Sequence, residues 1–313
     1  MSRRSFALRS LSAVGAASAL GGSRARATEV ASTSVHLATN AYSWQVFYQR
    51  EGRDWGAALD SGLAEVKGSG IDGYEPGLTS GGQVKSLVPL LRARGLGMRS
   101  VYVNSSLHAQ ADADRSIREI LEVAAEARTA GTRIVVTNPN PIQWGGSQDK
   151  DDAQLRFQAR SMDRLGAGLR EQGQVLAYHN HDIELRRAAR EFHHMMAGTD
   201  PELVSLCLDS HWVFRGAGDS QVALFDIVRL HGKRVVELHL RQSTRGVWDE
   251  TLGPGDIDYP LLAKMLQDAG RRPHLVLEVA VEKGTPKTLS TLEAHRRSAD
   301  YARSVFREVG ALQ

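Results

Sequence analysis

A single α/β barrel of eight strand-helix units, the (β/α)8 or TIM barrel, is the fold class this sequence predicts. Three observations point to it. Eight short runs rich in Val, Ile, Leu or aromatic residues each end in polar ones. Longer segments of helical periodicity separate them, and about 285 residues remain beyond an N-terminal leader, the right size for eight units. A doubly wound open sheet is the rival, but its first strand usually leads into a Gly-rich phosphate turn, and "ATNAYSWQ" is not one.

The strand runs are 35–43 (VHLATNAYS), 70–77 (GIDGYEPG), 97–105 (GMRSVYVNS), 132–140 (TRIVVTNPN), 174–182 (QVLAYHNHD), 203–212 (LVSLCLDSHW), 234–242 (RVVELHLRQ) and 274–282 (HLVLEVAVE). Between them the spacing predicts helices over 54–69, 81–94, 116–131, 151–172, 219–231, 259–269 and 287–309, with a shorter one near 186–197. In 116–131, Ile117, Ile120, Leu121 and Ala124 fall on one face, and Gly131 supplies a C-terminal stop. In "LGPGDIDYP", Gly253, Pro254 and Gly255 shape a turn while Asp256 and Asp258 sit where a helix begins at Pro260, so turn and cap chemistry accounts for most of that stretch. No low-complexity linker and no mid-chain shift in composition marks a second domain.

Ahead of the barrel, residues 1–27 pair Arg3 with Arg4 before Phe6, continue through a weakly apolar stretch and reach Ala25-Arg26-Ala27, an A-x-A cleavage pattern. This resembles a cleavable twin-arginine export signal, which makes 28–313 the mature barrel domain and the periplasm its expected location. The apolar part is too short and too poor in Leu and Ile to span a bilayer comfortably, so no stable membrane insertion is expected after cleavage.

The leader holds five Arg and no acidic residue, so its removal takes the formal charge from +3 to −2. The basic character therefore belongs to the leader, and a nucleic-acid partner loses its main support. Hydrophobic and charged contents of 42% and 24% are those of an ordinary soluble enzyme. The single Cys207 cannot form an internal disulfide.

A barrel should gather its functional side chains at the C-terminal ends of its strands. His179 ends the fifth run, Asp209 the sixth, His239 the seventh and Glu278 the eighth, at spacings of 30, 30 and 39 residues, each about one strand-helix unit. Two imidazoles and two carboxylates without a thiolate suit a divalent ion such as Mn²⁺, Zn²⁺, Co²⁺ or Fe²⁺. The alternative is a set of barrel-mouth salt bridges without metal. A bound ion would offset the burial of these groups and could polarise a carbonyl.

On "AYHNHD" (177–182), "CLDSHWVFRGAG" (207–218), "LHLRQ" (238–242), "LGPGDIDYPLL" (252–262) and "LVLEVAVE" (275–282) the sequence resembles the xylose-isomerase-like barrels, specifically the sugar phosphate isomerase/epimerase family. The motifs cover the second half of the barrel, and the first half fits by its strand-helix rhythm. The resemblance implies metal ligands at the ends of strands five to eight. Asp209, His239 and Glu278 match the last three, whereas His179 stands where many members carry a glutamate. That departure removes one of the two glutamates that the family's epimerases use as opposed acid and base.

His181 lies on the same strand face as His179 and is the candidate general base, its rival role being a hydrogen bond that orients a ligand. Sugar recognition needs polar groups and an apolar face. Glu75, Asn104, His108, Asn180, Trp212, Arg215, Arg241 and Trp248 are the candidates for substrate binding, with packing as the alternative for each Trp and ion pairing for each Arg.

The expected function is a metal-dependent isomerase or epimerase that removes a proton beside the carbonyl of a small sugar substrate. A keto-glycoside lyase or dehydratase using the same enolate is the closest alternative. Two others come from different classes. Apurinic-site endonucleases of the superfamily resemble the barrel but add further His, Asp and Glu ligands, and the charge of the mature chain opposes them. A non-catalytic periplasmic sugar-binding protein would more often have two closing lobes. Oligomeric state is not readable from one sequence.

Overall fold

The computed structural model describes residues 35–307, so the expected leader at 1–27 lies outside the described residues. Eight parallel strands form one sheet: β1 Leu37–Asn40, β2 Gly73–Glu75, β3 Ser100–Tyr102, β4 Ile134–Thr137, β5 Val175–His179, β6 Val204–Asp209, β7 Val235–Leu240 and β8 His274–Leu277. Around the sheet the strands follow chain order, with β8 paired to β1. Between β2 and β3, Tyr74 N–H donates to the Gly97 carbonyl (2.8 Å) and Tyr102 N–H to that of Pro76 (2.9 Å), which brings the two ends of the sheet together as a barrel. No helix among the described residues is long and apolar enough to cross a membrane.

The period of two along each strand sorts the side chains. Leu238 and Leu240 of β7 join the large apolar core that packs strands against helices, while Glu237 and His239 alternate with them and meet other polar groups of the barrel interior. Val136, Ala177 and Cys207 form a separate small apolar cluster. A polar interior layer is costly unless its groups are paired or bind something, which makes it the informative part of the molecule.

Two strands end earlier than their apolar runs suggest, for one reason. Asn40 accepts a hydrogen bond from Ser43 N–H (3.1 Å) and caps a helix over Ala41–Arg50. Asp209 does the same from Trp212 N–H (2.8 Å) and caps Ser210–Gly216. A side chain that caps a helix is of the same polar type as one that closes a strand, so the first residues of the two helices, 41–43 and 210–212, resemble strand extensions in the sequence. The expected helix at 54–69 begins only at Leu59, because Asp54 accepts from Ala57 N–H (2.7 Å) and holds the chain in a turn. The segment 186–197 is helical through Gly198, but Arg187, Ala188 and Ala189 have φ of 54°, 58° and 57°, so its first turn is not regular helix. Asp258 caps Tyr259–Asp268 through Leu261 N–H (2.9 Å), as the turn chemistry predicts.

Candidate active site

The C-terminal ends of β5 to β8 place His179, Asp209, His239 and Glu278 together. One ligand atom from each lies within 4.8 Å of all the others. All four are buried. His239 Nδ1 stands 2.5 Å from Glu278 Oε2, and His179 Nε2 lies 3.8 Å from Asp209 Oδ2 and 4.0 Å from Glu278 Oε2. Both ring nitrogens of His179 and Asp209 Oδ2 have no hydrogen-bond partner. Unpartnered groups buried this deeply carry a desolvation cost that a bound ion would offset. The set of two nitrogens and two carboxylates therefore fits a divalent cation.

Electrostatics agree with that fit. Burial, then the neighbouring His239 and His181, push His179 well below the usual imidazole range, which keeps the ring neutral with one nitrogen lone pair free. Burial and the nearby Glu278 raise Asp209 to about 7. Burial opposes ionisation of Glu278, but His239 and Arg241 outweigh it and hold its carboxyl well below the usual range. Arg241 is itself buried, donating from Nη2 to Glu278 Oε1 (2.7 Å) and from Nε to the Glu278 carbonyl (2.8 Å).

The far edge of His239 faces a second acidic layer. Its Nε2 lies 3.2 Å from Glu75 Oε1 and 3.2 Å from Glu237 Oε1. Ser100 Oγ donates to the other oxygen of Glu75 (2.7 Å). A proton on Nε2 directed at these carboxylates would leave Nδ1 to hold a cation in place of its pairing with Glu278. Glu237 is raised to about 8 by burial and by Glu75. It is a neighbour of the site that the sequence analysis does not name. The signal was present in "VVELHL", where Glu237 and His239 share one strand face.

Above the four groups opens a cleft of about 570 Å³. Of the expected residues, Glu75, Asn104, His179, His181, Trp212 and Glu278 line it. His181 is half-buried, and its ring lies 4.8 Å from that of His179 and 5.5 Å from that of Trp212. Burial pushes its pKa down to about 4, so near neutral pH it is an unprotonated imidazole able to accept a proton. Tyr42, Gln45, Tyr102 and Trp144 also line the cleft and were not anticipated. Tyr42 was hidden by reading its helix as strand, and Trp144 belongs to a loop after β4 that shows no periodicity.

Five expected substrate contacts are engaged elsewhere. Asn180 is buried and spends its amide on the backbone of Asp209. Arg215 forms a two-pronged pair with Glu282 (3.0 and 2.9 Å), the ion-pairing alternative. Trp248 is buried under the guanidinium groups of Arg241 and Arg215, 4.3 and 4.7 Å from its ring centre. Arg241 gives its Nε and Nη2 to Glu278 as described, while its buried Nη1 has no partner. His108 stands outside the cleft, in the field of Lys150 and Glu191. Asp209, Glu278 and Glu282 lie 29, 37 and 67 residues from Asn180, Arg241 and Arg215, beyond the reach of local pattern.

Comparison with known proteins adds four findings. A family model described as xylose isomerase-like TIM barrel matches residues 63–304. An inosose dehydratase from Clostridium perfringens is 22% identical over 245 residues, covering 69% of this chain and 80% of that protein. Among solved structures, a sugar phosphate isomerase/epimerase from Parabacteroides distasonis superimposes with a TM-score of 0.71 at 17% identity, covering 90% of this chain and 98% of the other. A xylose isomerase-like TIM barrel protein from Mycobacterium smegmatis, in complex with magnesium, does so with a TM-score of 0.68 at 15% identity, covering 89% and 98%.

Proposed function

From the premise that the chain belongs to the xylose isomerase-like TIM barrel family, we propose that it is an enzyme that removes a proton beside the carbonyl of a keto-sugar or keto-glycoside and expels a β-leaving group. It would thus be a lyase or dehydratase. The observation that carries this reading is the place of His181 in the cleft. His181 is half-buried, lies against His179 and keeps an unpartnered ring nitrogen, while Glu278 is tied to Arg241 and His179 replaces the second carboxylate. One base suits elimination, because the proton it takes from carbon can be returned to the departing oxygen. The likeness to an inosose dehydratase supports the same class.

His179, Asp209, His239 and Glu278 would hold a divalent cation. Once bound, that ion supplies Lewis-acid polarisation of the substrate carbonyl. The chain's own residues do the remainder. Trp212 and Trp144 offer apolar ring faces to sugar C–H bonds, Asn104 offers a polar group at the cleft wall, and His181 takes the proton. The electron pair left on carbon forms the enolate, the bond to the β-oxygen breaks, and the proton on His181 passes to the leaving alcohol or water.

An isomerase or epimerase is the second reading. Asp182 also lines the cleft, next to His181, and would be the second acid-base group such a reaction needs. Incubating the cation-loaded protein with keto-sugars and keto-glycosides in deuterium oxide separates the readings. Elimination releases alcohol or water and leaves an unsaturated ketone, whereas isomerisation returns a saturated sugar carrying deuterium. Neither should occur in His181→Ala, and a protein that binds sugars without any exchange is a binder and not an enzyme. We also propose export of the chain through the twin-arginine route, which cell fractionation of an Arg3→Lys, Arg4→Lys variant tests.

A further inference from the structure

A second hollow of about 500 Å³ lies beside the cleft, between the helices Leu59–Gly68 and Gly81–Ala93. Trp55, Leu59, Tyr74, Leu78, Leu87 and Leu90 line it. Trp55 Nε1 donates to the Tyr74 hydroxyl (3.1 Å), so the polar atoms of these two largely buried rings satisfy each other. Part of the polar lining is committed as well, whereas Gln45, Ser80 Oγ and the Gln83 amide nitrogen make no side-chain hydrogen bond among the described residues. Gln83 Oε1 accepts from Thr79 N–H (2.7 Å), and Ser86 Oγ donates to the Gly82 carbonyl (3.3 Å). An apolar group would bury carbon against the Leu side chains that line the hollow.

The hollow and the cleft meet. Ala41, Gln45 and Gly77 line both. Gly77 has no positive φ, and a Cβ at this position would meet nothing within 4 Å, so the boundary between the two is low and open. A substrate whose sugar sits above His179 and His181 can therefore extend an attached group past Gly77 and between the helices.

We propose that this hollow is a subsite for an apolar, aromatic aglycone, so that the substrate is a glycoside and not a free sugar. The inference rests on the keto-sugar reading above. Its volume falls within the range of small-ligand pockets, and the Trp55 and Tyr74 rings match an aryl group better than a hydroxylated one.

Calorimetric titration of the full chain with methyl, phenyl and naphthyl glycosides of one sugar tests it. Phenyl and naphthyl glycosides should bind at least tenfold more tightly than the methyl glycoside. Ser86→Trp, which fills the hollow from an exposed helical position, should bring that ratio close to one, and Leu90→Arg should do the same by placing a charge there. Equal affinities in the unmodified protein overturn the proposal, as does a ratio that neither variant changes. A fall in molar mass by light scattering on introducing Ser86→Trp would show that a second copy covers the hollow, and this too overturns it. Deuterium exchange into the methyl keto-glycoside reads the chemistry separately: its absence counts against the proposed reaction, while the binding ratio still decides the subsite.

Discussion

Asn180 at the end of β5 holds both backbone polar groups of Asp209 at the end of β6: its Oδ1 accepts from Asp209 N–H and its Nδ2 donates to the Asp209 carbonyl, each at 3.1 Å. All of these atoms are buried. The side chain thereby fixes where Asp209 leaves the sheet and turns its carboxylate toward His179. Asn180→Ala strands two backbone groups away from water and should cost about 2 kcal/mol or more. Cation affinity should fall with it, because the carboxylate loses its anchor. Urea unfolding and calorimetric cation titration check the two effects, and Asn180→Asp, which keeps only the acceptor, should fall between.

The barrel and its four converging groups were legible because both follow a repeat. Each strand is a short apolar run, and His179, Asp209, His239 and Glu278 recur at about one strand-helix unit. What was illegible depends on contacts without a period. Nothing local indicates that Arg215 meets Glu282, 67 residues away, or that the amide of Asn180 faces the neighbouring strand and not the substrate. Glu237 escaped notice because one polar residue in an apolar strand ordinarily reads as a solvent-facing position.

Glu237 and Glu75 would bear on a bound cation through His239, whose Nε2 lies 3.2 Å from each. Removing a carboxylate that orients a ligating imidazole typically lowers metal affinity about 10–100-fold. Glu237→Leu should show that loss in a cation titration, while Glu237→Gln, which keeps an oxygen acceptor for the ring N–H, should recover most of it. Equal affinities across the three proteins would mean that Glu75 alone orients the ring.

Glu184 gives the stability of the fold a pH dependence. It accepts from His181 N–H (2.7 Å) and from Asn138 Nδ2 (3.1 Å), and Asn138 also donates to the His179 carbonyl (2.8 Å). Burial first, and then Glu191, raise its pKa to about 7, against the partial relief of Asn138, the His181 amide and Lys150; Tyr178 also faces it. Between the ordinary glutamate value and about 7 the unfolded chain gives up this proton while the folded chain keeps it. The Glu184 contribution therefore falls as pH rises through that window and is flat above it. Glu184→Gln, which resembles the protonated acid, should lose less stability than the unmodified protein between pH 5 and pH 8, by about 1–3 kcal/mol. Urea midpoints across that range decide it, and parallel slopes would place the titration elsewhere.

Trp144 offers the most direct test of how the cleft holds a sugar. It is 52% exposed, yet its ring stands edge-on to His181 at 5.2 Å and its Nε1 donates to Asn140 Oδ1 (3.3 Å). A large apolar ring kept in water beside the free base is poor packing but a good platform for the C–H face of a sugar. Because little is buried there, Trp144→Ala should change stability by less than about 0.5 kcal/mol. Losing a stacking contact of about 1 kcal/mol should raise KM roughly fivefold, and Trp144→Phe should restore most of the affinity. Thermal unfolding and steady-state kinetics on the same three proteins separate the roles. A KM that stays put in Trp144→Ala removes this ring from recognition, whereas a large drop in melting temperature would make it a structural cover for His181.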